Sequence, residues 1–486
     1  MLFSIFELIL IYDNSLQGNR VQNLMTDHIE KLTPLQNAAL IMVLLNGFTT
    51  PLMLSAANVA LPSIADDLHM NAVMLSWVPM AYLMASAMFV LTFGRLADMY
   101  GRKRIFMIGT ICVVITSILA AMSPNGEVLI FARFLQGISA AMLYATQIAI
   151  VTSVFPPEKR GHAIGLTVST IYLGLTCGPV LGGFLIDSMG WRASFVFHIP
   201  LALIVLLIGI LKVPGEWLSE EKGVFDIKGA IIYSLSIVGL CLGVSSLPGL
   251  TSSIFILAGL AGVIIFYYYA RSTKHPIFDV RLFVSNRVFT LSCMASFILY
   301  TATFANVVLI SLYLQYLKDI SASVAGLFMM IQPLTMAIFS PLAGRLSDRI
   351  EPRIIASAGM VLTAAGLVML ALLNGVSSSG YLIVSLIITG LGFSLFSSPN
   401  TNAIMSAVEK RYYGSASGSI ATMRVLGQMS SMILVTLVFA LFIGQVKIQP
   451  ANYADLQQAI HICFTIAAFL CLPGFLFSLS RGRMHK

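Results

Sequence analysis

The sequence predicts an all-α membrane protein with fourteen transmembrane helices. Of its 486 residues, 58% are hydrophobic and only 10% are charged, and the mean hydropathy is +0.91. This leaves too little polar surface to cover a water-soluble globule. A helix needs about 20 apolar residues to cross the hydrocarbon core, and the apolar runs are long and continuous, without the alternation of barrel strands. The spanning elements are therefore predicted to be helices.

Fourteen apolar runs of spanning length follow one another along the chain, numbered here as spans 1 to 14. They lie at 36–58, 73–95, 104–122, 128–154, 163–186, 192–213, 227–247, 252–270, 289–313, 323–344, 354–374, 380–405, 416–442 and 459–480. Short connections that carry charges, Pro or Gly separate them.

The placement of basic residues predicts the topology. With both termini in the cytoplasm, 23 of the 28 Lys and Arg residues fall in inner loops and tails. The outer loops hold Arg192, Lys318 and Lys447, and Arg133 and Arg424 lie within spans. This is the bias that positive-inside insertion produces. We therefore expect a multi-pass protein of the cell (inner) membrane whose excess positive charge faces the cytoplasm and anionic lipid. Because the basic residues form no single patch, no nucleic-acid partner is expected.

The chain contains an internal repeat. The segment Gly94–Arg104, "GRLADMYGRKR", has a weaker counterpart 250 residues later at Gly344–Arg353, "GRLSDRIEPR". The tripeptide at Glu158–Arg160 recurs at Glu409–Arg411 with nearly the same offset. Two matches at one offset indicate duplication, in which spans 1 to 6 correspond to spans 9 to 14 and spans 7 and 8 are an inserted pair.

The repeat predicts a division of the chain into five segments. These are a cytoplasmic N-terminal tail (1–35), an N-terminal six-helix bundle (36–213), a linker with two inserted helices (214–288), a C-terminal six-helix bundle (289–480) and a cytoplasmic tail (481–486). A translation start at Met25 is an open alternative, because the apolar run Leu2–Ile11 is too short for a span and lacks a basic leader.

Several motifs, in order, resemble the major facilitator superfamily, and fourteen spans resemble its drug:proton antiporter branch of the multidrug efflux type. Gly94–Arg104 resembles the loop 2–3 signature, Arg133–Ala141 ("RFLQGISAA") the span 4 signature, and Gly174–Gly183 ("GLTCGPVLGG") the span 5 signature of antiporters. Asn58–Ile64 and Gly190–Pro200 also resemble that branch. The resemblance implies a major-facilitator-type fold of two six-helix bundles plus two inserted helices, without a cofactor, that opens alternately to the two sides.

Two motifs receive roles from this resemblance. The loop 2–3 motif implies an inner gate, where a carboxylate meets a helix N-terminus and pairs with a nearby Arg; its residues are Gly94, Asp98, Gly101 and Arg102, with Asp348 in the second half. The span 5 motif implies a hinge, because small residues allow close packing and Pro bends a helix; its residues are Gly174, Gly178, Pro179, Gly182 and Gly183. Ordinary tight packing is the alternative for span 5.

Arg133 and Arg424 are the cations placed inside spans. An Arg in the hydrocarbon costs at least about 2.5 kcal/mol, so each is expected to face a cavity or a partner, with snorkelling towards a helix end as the alternative for Arg133. The resemblance links the Arg133 position to proton transfer. Because Arg stays protonated, we interpret this role as electrostatic tuning of a neighbouring proton carrier.

The sequence departs from the antiporter pattern in span 1. The branch commonly has an Asp five residues before the position of Asn58, where this chain has Met53. All twenty Asp and Glu residues lie in loops, tails or span ends. A buried carboxylate is what would favour a cationic substrate, so neutral or anionic amphiphiles are expected instead. A proton is the expected coupling ion, but its carrier stays open; the candidates are His198, His461, Asp98 and Asp187.

A substrate cavity is expected among polar and aromatic side chains of the core spans, each of which could equally form an interhelical hydrogen bond. The candidates are Asn46, Gln136, Tyr144, Gln147, Tyr172, Tyr300, Asn306, Gln332, Asn402 and Gln428. The 25 Met and 30 Phe residues suit promiscuous binding of apolar compounds.

These observations predict a secondary active exporter of small amphiphilic compounds that works by alternating access as a monomer. The alternatives are an exporter of a neutral or anionic metabolite with another coupling, and a transport-dead membrane sensor. No Walker-type loop, HExxH or GxSxG motif is present, so neither an ATP-driven pump nor an enzyme is expected. The six Cys residues lack paired spacing and predict neither disulfides nor a metal site.

Overall fold

The computed structural model describes residues 32–218, 225–247, 249–273, 276–278, 280–347, 349–408 and 413–482. Within these residues all regular structure is helical, and fourteen helices are long and apolar enough to cross a membrane. The predicted all-helical class with fourteen membrane helices is therefore confirmed. Most of the N-terminal tail with Met25, the last four residues, and Asp348 of the predicted inner gate lie outside the described residues.

The first seven membrane helices match the predicted spans of the same number. They are α1 (Pro34–Val59), α2 (Ala72–Tyr100), α3 (Arg102–Ala121), α4 (Gly126–Val154), α5 (Ala163–Met189), α6 (Ala193–Leu211) and α7 (Ile227–Ser245). A short helix, Leu61–Asp67, follows α1. α6 is interrupted between Val196 and Ile199.

The remaining seven helices repeat the pattern. They are α8 (Leu250–Ser272), α9 (Arg287–Leu317), α10 (Ala322–Ser347), α11 (Pro352–Ala371), α12 (Ser379–Ser406), α13 (Ala416–Phe442) and α14 (Pro450–Ser480). A short helix, Val280–Ser285, precedes α9. α9 ends in a π-helical turn, Tyr313–Leu317, a local widening of the helix that is frequent at functional sites.

Side-chain caps set several helix starts. Asn71 accepts a hydrogen bond from the Met74 N–H at 2.7 Å before α2, and Asn125 accepts one from the Val128 N–H at 2.9 Å before α4. Such caps satisfy backbone N–H groups that have no partner within the helix. Gly101 separates α2 from α3 with φ at 115°, a conformation that glycine adopts without strain.

Packing is the same in both halves of the molecule. In the N-terminal half α1 packs on α5, α2 on α4, and α3 on both α4 and α6. In the C-terminal half α9 packs on α13, α10 on α12, and α11 on both α12 and α14, so each contact recurs eight helices later. The two halves meet through α2 with α13 and α5 with α10, which are also equivalent pairs. The duplication inferred from short motifs thus extends to the whole packing pattern.

The inserted pair, α7 and α8, lies beside one of these junctions. α7 packs on α2 and on α13, and the Tyr233 hydroxyl donates to the Ala87 carbonyl of α2 at 3.0 Å. α8 packs mainly on α7 and exposes most of its surface. The pair therefore covers one side of the contact between the halves.

Because the helices alternate in direction, the molecule has two faces. We call the face that carries the α2–α3, α4–α5, α10–α11 and α12–α13 loops the basic face, and the other the opposite face. The positive-inside pattern predicts that the basic face is cytoplasmic.

Candidate functional site

On the opposite face the two halves touch closely where α5 meets α10. A Cβ atom placed on Gly326 of α10 would collide with the Pro179 carbonyl of α5, and one placed on Gly183 of α5 would collide with the Ala322 carbonyl of α10. The Ser323 N–H donates to an Asp187 carboxylate oxygen at 2.8 Å. Two glycines thus allow backbone-to-backbone contact between the halves.

The second junction is also closed on this face. The hydroxyls of Ser76 in α2 and Thr436 in α13 lie 2.9 Å apart, and the Ala72 N–H donates to the Val446 carbonyl at 2.9 Å. In the π-helical turn of α9, Gln315 donates to the Val59 carbonyl at the end of α1 at 3.0 Å. The halves are therefore in contact on the opposite face at both junctions and between α1 and α9.

On the basic face a cavity of about 270 Å³ separates the same halves. Its walls come from α2 and α4 on one side, from α13 on the other, and from the segment 276–278. Asp98 and Arg102 at its rim are 35% and 23% exposed. We call this cavity the vestibule. It reaches the surface of the basic face between the two halves, whose other ends are in contact.

The loop 2–3 motif forms the rim of the vestibule. Arg102 donates twice to one Asp98 carboxylate oxygen, at 3.0 and 2.8 Å, and also to the Ser153 hydroxyl of α4 at 2.6 Å. The predicted Asp98–Arg102 pair is present in the structure. The first turns of α13, with Gly418, line the same cavity as Asp98.

The second part of the motif holds the linker that follows α6. The Glu216 carboxylate accepts hydrogen bonds from the backbone N–H groups of Lys103 at 2.8 Å and Arg104 at 3.0 Å. The Arg102 N–H donates to the Trp217 carbonyl at 3.0 Å. A Cβ atom on Gly101 would collide with the Glu216 side chain. Glycine is therefore required at position 101 for two reasons. Its φ is positive, and a larger side chain would displace the Glu216 carboxylate that caps α3.

We expect Glu216→Ala to lower the free energy of unfolding by about 1–2 kcal/mol, because it removes the cap from two N–H groups at the start of α3. Glu216→Gln keeps one acceptor oxygen and should lower the free energy of unfolding by less. Thermal unfolding of the purified protein in detergent measures both. Equal midpoint temperatures of unfolding for the wild type and both variants would contradict the capping role of Glu216.

Arg133 lies inside the N-terminal half and is fully buried. It donates to the Val78 carbonyl at 3.2 Å and to the Gln136 amide oxygen, and its guanidinium carbon lies 4.5 Å from the centroid of the Tyr82 ring. Arg133 therefore has partners in the bundle and does not snorkel to a helix end. The Tyr82 ring face stabilises the cation in a site that lacks a carboxylate partner among the described residues.

The network continues from Gln136 towards α6. Its amide nitrogen donates to the Ser117 hydroxyl at 2.8 Å and contacts the Met53 sulfur at 3.1 Å. The Ser117 hydroxyl lies 3.1 Å from His198 Nε2, in the interruption of α6. A carboxylate at the position of Met53 would therefore meet two hydrogen-bond donors, the Gln136 amide and the Ser117 hydroxyl. A cavity of about 10 Å³ beside Met53 and His198 has room for roughly one water.

The other candidate proton carriers have different surroundings. His461 Nδ1 lies 2.7 Å from the Ala371 carbonyl, a contact that joins α14 to α11, and Asp187 belongs to the α5–α10 contact. His198 Nδ1 has no hydrogen-bond partner among the described residues. Of the candidates, His198 is the one connected to Arg133.

Two tyrosines connect the buried network to the interface between the halves. The Tyr82 and Tyr144 hydroxyls lie 3.0 Å apart. The guanidinium carbon of Arg424 in α13 lies 5.6 Å from the centroid of the Tyr144 ring in α4. The Tyr82–Tyr144 pair of the N-terminal half therefore links Arg133 to Arg424, and the contact between Tyr144 and Arg424 crosses from one half to the other.

The predicted cavity residues divide into separate groups. Tyr144 lines the vestibule, the Tyr172 hydroxyl lies 3.4 Å from Ser397 of the other half, and Tyr300 packs its ring 5.5 Å from that of Phe393. The other positions are Gln136 in the Arg133 network, Asn46 donating to Gln147 at 3.4 Å, Asn402 donating to Ser347 at 3.0 Å, buried Asn306 and Gln332, and half-buried Gln428. Thus Tyr144 and Tyr172 lie at the interface between the halves, Tyr300 packs on α12 and α13 of the C-terminal half, and Gln136 lies inside the N-terminal bundle.

The glycines of the span 5 motif line the contact of α5 with α1. A Cβ on Gly178 would lie 2.8 Å from the Leu52 carbonyl, and one on Gly182 would lie 2.7 Å from the Ala56 Cα. Gly174 faces the Phe48 carbonyl in the same way. Pro179 and Gly183, also in α5, contact α10. α5 therefore packs closely against a helix of its own half and against one of the other half. Whether α5 acts as a hinge stays a prediction.

An electrostatic cluster fixes the loops of the opposite face. Asp67 accepts hydrogen bonds from Trp191 Nε1 at 2.9 Å and Arg192 at 2.7 Å. These two bonds hold the pKa of the Asp67 carboxyl below its usual range. The cluster joins the start of α6 to the short helix after α1.

Sequence reasoning missed Tyr82, Ser117, Glu216 and the role of Arg481. Arg481 was assigned to the C-terminal tail, but it is buried and donates to the Ser292 hydroxyl at 3.1 Å and to the Asn400 amide oxygen. A basic residue at the end of a span is what the positive-inside rule predicts. Nothing in the sequence therefore indicates that Arg481 is buried. The clusters around Tyr82, Ser117 and Glu216 join residues far apart in sequence.

Comparison with known proteins defines the class. The family model of the Major Facilitator Superfamily matches residues 43–432 and, in a second match, 292–484. The chain belongs to this superfamily of membrane transporters and is not an enzyme.

Relatives and solved structures agree with this assignment. The chain is 33% identical to the riboflavin transporter RibZ of Clostridioides difficile over 90% of its length and 96% of the relative. It is 32% identical to the multidrug resistance protein Stp of Mycobacterium tuberculosis over 76% of this chain and 70% of the relative. A bacterial homologue of the lysosomal transporter Spinster, in an inward-facing and unoccupied conformation, matches with a TM-score of 0.67 at 15% identity and covers 93% of this chain and 98% of its own. The structural likeness shows the fold.

Proposed function

We propose that the protein exports small amphiphilic compounds by alternating access, as a monomer in the cell membrane with both termini in the cytoplasm. The observation that carries the proposal is the vestibule of about 270 Å³ between two matching halves whose opposite ends are in contact. With the basic face in the cytoplasm, this arrangement is inward-facing and accepts substrate from the cell interior. Rocking of the halves would then seal the vestibule and release the substrate outside.

The proposed substrates are neutral or anionic. Arg133 and Arg424 lie within the membrane helices, whereas the described Asp and Glu residues lie at helix ends or in loops. A cation would meet like charge there without a compensating carboxylate. Tyr144 and Tyr300 add aromatic surface for a flat apolar body.

The proposed coupling is proton antiport, as in the fourteen-span drug:proton branch. The multidrug resistance protein among the relatives supports this branch. The support within the chain is the connected series Arg133, Gln136, Ser117 and His198. His198 is the proposed proton carrier because its Nε2 ends this series at the Ser117 hydroxyl and its second ring nitrogen has no partner among the described residues.

A second candidate function is transport of one neutral or anionic metabolite with another coupling. The riboflavin transporter, similar over most of both chains, favours it, as does Met53 in place of the span 1 carboxylate. A narrow substrate range with flux independent of the pH gradient would distinguish this candidate from a multidrug exporter.

Proteoliposomes with imposed pH or sodium gradients test the proposal. The wild type is expected to move neutral and anionic amphiphiles in response to the pH gradient. Met53→Asp places a carboxylate beside the Gln136 amide and Ser117 hydroxyl, and should extend transport to lipophilic cations. Met53→Asn is the matched control, since it adds similar polarity without charge.

Three outcomes would count against this account. If neither gradient drives any tested amphiphile although the protein binds them, the chain is a sensor on a transporter scaffold. Flux driven by sodium alone would contradict proton coupling. Equal cation transport by Met53→Asp and Met53→Asn would contradict the charge argument.

A further inference from the structure

The two arginines within the membrane helices differ in what they bind. Arg133 is fully buried and donates to Val78 and Gln136. Arg424 is half-buried and makes no hydrogen bond or ion pair with any described residue. Its guanidinium carbon lies 5.6 Å from the centroid of the Tyr144 ring of the other half. Arg133 uses Nε and Nη1 within its own bundle, and its buried Nη2 has no hydrogen-bond partner among the described residues. Arg424 keeps all of its guanidinium donors for a ligand.

The surroundings of Arg424 carry positive charge. The charged residues that line the vestibule, together with Tyr144, are Arg95, Arg102 and one carboxylate, Asp98. That carboxylate is already bound twice by Arg102, and Arg95 Nε has no partner among the described residues. Arg424 does not itself line the vestibule, but the ring of Tyr144, which does, lies 5.6 Å from its guanidinium carbon. The vestibule therefore attracts an anion towards Arg424 and repels a cation, more strongly than the same charges in bulk water would.

Arg424 is also placed to join the two halves through a ligand. It lies on α13, and the Tyr144 ring 5.6 Å away lies on α4. Tyr300 of α9, whose ring packs on Phe393, has its Cβ against Gly427 of α13, one helical turn from Arg424. A flat ligand could rest on the tyrosine rings while its anionic group takes two parallel hydrogen bonds from the guanidinium. Such a ligand contacts both halves and would bias their rocking.

Resting on the proposed function, we propose that Arg424 is the specificity-determining residue and binds the anionic group of the substrate, a carboxylate, sulfonate or phosphate carried on a flat aromatic body. Arg133 is excluded from this role, because it is committed inside the N-terminal bundle with its ring and amide partners. Arg95 at the rim attracts the anion into the vestibule without fixing its position.

A matched pair of probes tests the proposal. Naphthylacetate and naphthylacetamide have the same rings and nearly the same shape, but only the first carries a charge. Binding of both, in tritiated form, is measured on the full chain in nanodiscs, and counterflow is measured in proteoliposomes. The variants are Arg424→Gln, Arg424→Lys and, as control, Arg349→Gln, which removes the same charge from an exposed loop of the same half.

We expect Arg424→Gln to weaken naphthylacetate binding about tenfold or more and to change naphthylacetamide binding less than about twofold. Arg424→Lys should restore part of the affinity for the acid, because the charge returns without the planar pair of donors. Arg349→Gln should behave as the wild type.

Two results would overturn the inference while leaving the proposed function intact. One is wild-type counterflow of both probes with no loss of acid binding in Arg424→Gln. The other is an equal loss of binding affinity for both probes in that variant, which would show that Arg424 supports the structure and does not bind the anionic group. Folded wild-type protein that binds both probes and moves neither would instead contradict the proposed function.

Discussion

Gly326→Val is expected to lower transport about tenfold or more, with the protein still folded. A side chain at this position would enter the contact between α10 and the Pro179 carbonyl of α5. Overpacking of a close contact costs about 1–3 kcal/mol, and this cost falls only on the arrangement in which the opposite face is sealed. The equilibrium therefore moves towards the arrangement in which that face is open, by roughly one order of magnitude for each 1.4 kcal/mol.

The matched control is Gly375→Val, in a loop of the same face and the same half. A Cβ at Gly375 meets no atom within 4 Å, so this variant should transport normally. Gly183→Val, which would collide with the Ala322 carbonyl from the other side of the contact, should reproduce the defect. Counterflow assays with thermal unfolding as a folding check measure all three. Normal transport by Gly326→Val would contradict the role of this seal.

Arg133→Met is the second substitution with a large expected effect. It leaves the buried Gln136 amide oxygen without its donor, which costs about 1–3 kcal/mol, and removes the cation that faces the Tyr82 ring. Gln136 positions Ser117 and, through it, His198. We therefore expect transport to fall by at least about tenfold. Arg133→Lys should not restore it, because an ammonium lacks the planar fork of the guanidinium.

A double-mutant cycle separates this role from general damage. If Arg133 acts by holding Gln136, the pair Arg133→Met and Gln136→Leu should be barely worse than Arg133→Met alone, because the unpaired amide is gone. Unfolding midpoints and counterflow rates are measured for the two single variants and the double variant. Fully additive losses would show that the two side chains act independently.

The sequence was sufficient to predict the membrane helices and their duplication. Hydrocarbon thickness and the positive-inside bias constrain a chain in lipid strongly, so apolar length alone located α1 to α14. The same reasoning located Arg133 and Arg424, since a charge inside a span is costly enough to demand an explanation. Met53 was recognisable because a resembling branch has a carboxylate at that position.

The partners of these residues were not predictable in the same way. Glu216 caps α3 from a position more than 110 residues away, and nothing in its local sequence distinguishes it from the neighbouring linker acids. In the sequence, Tyr82 is not distinguishable from the many other apolar residues of α2, yet its ring faces Arg133 in the structure. Gln136 was expected to line the substrate cavity, but packing directs it into the Arg133 network. Such contacts depend on three-dimensional proximity, which helix periodicity does not encode.

Electron spin resonance distances between paired labels test the central claim of alternating access most directly. In a variant with the six native cysteines replaced, one sample carries labels at the basic face through Tyr100→Cys and Thr401→Cys, which are exposed in different halves. A second sample carries them at the opposite face through Met122→Cys and Val376→Cys, also exposed in different halves.

The account predicts two distance populations in each sample that change in opposite directions. Introducing Gly326→Val should shorten the basic-face distance and lengthen the opposite-face distance, and the control Gly375→Val should change neither. A single distribution at both faces that Gly326→Val leaves unchanged, or distances that lengthen together at both faces, would contradict the rocking of two halves about a central site.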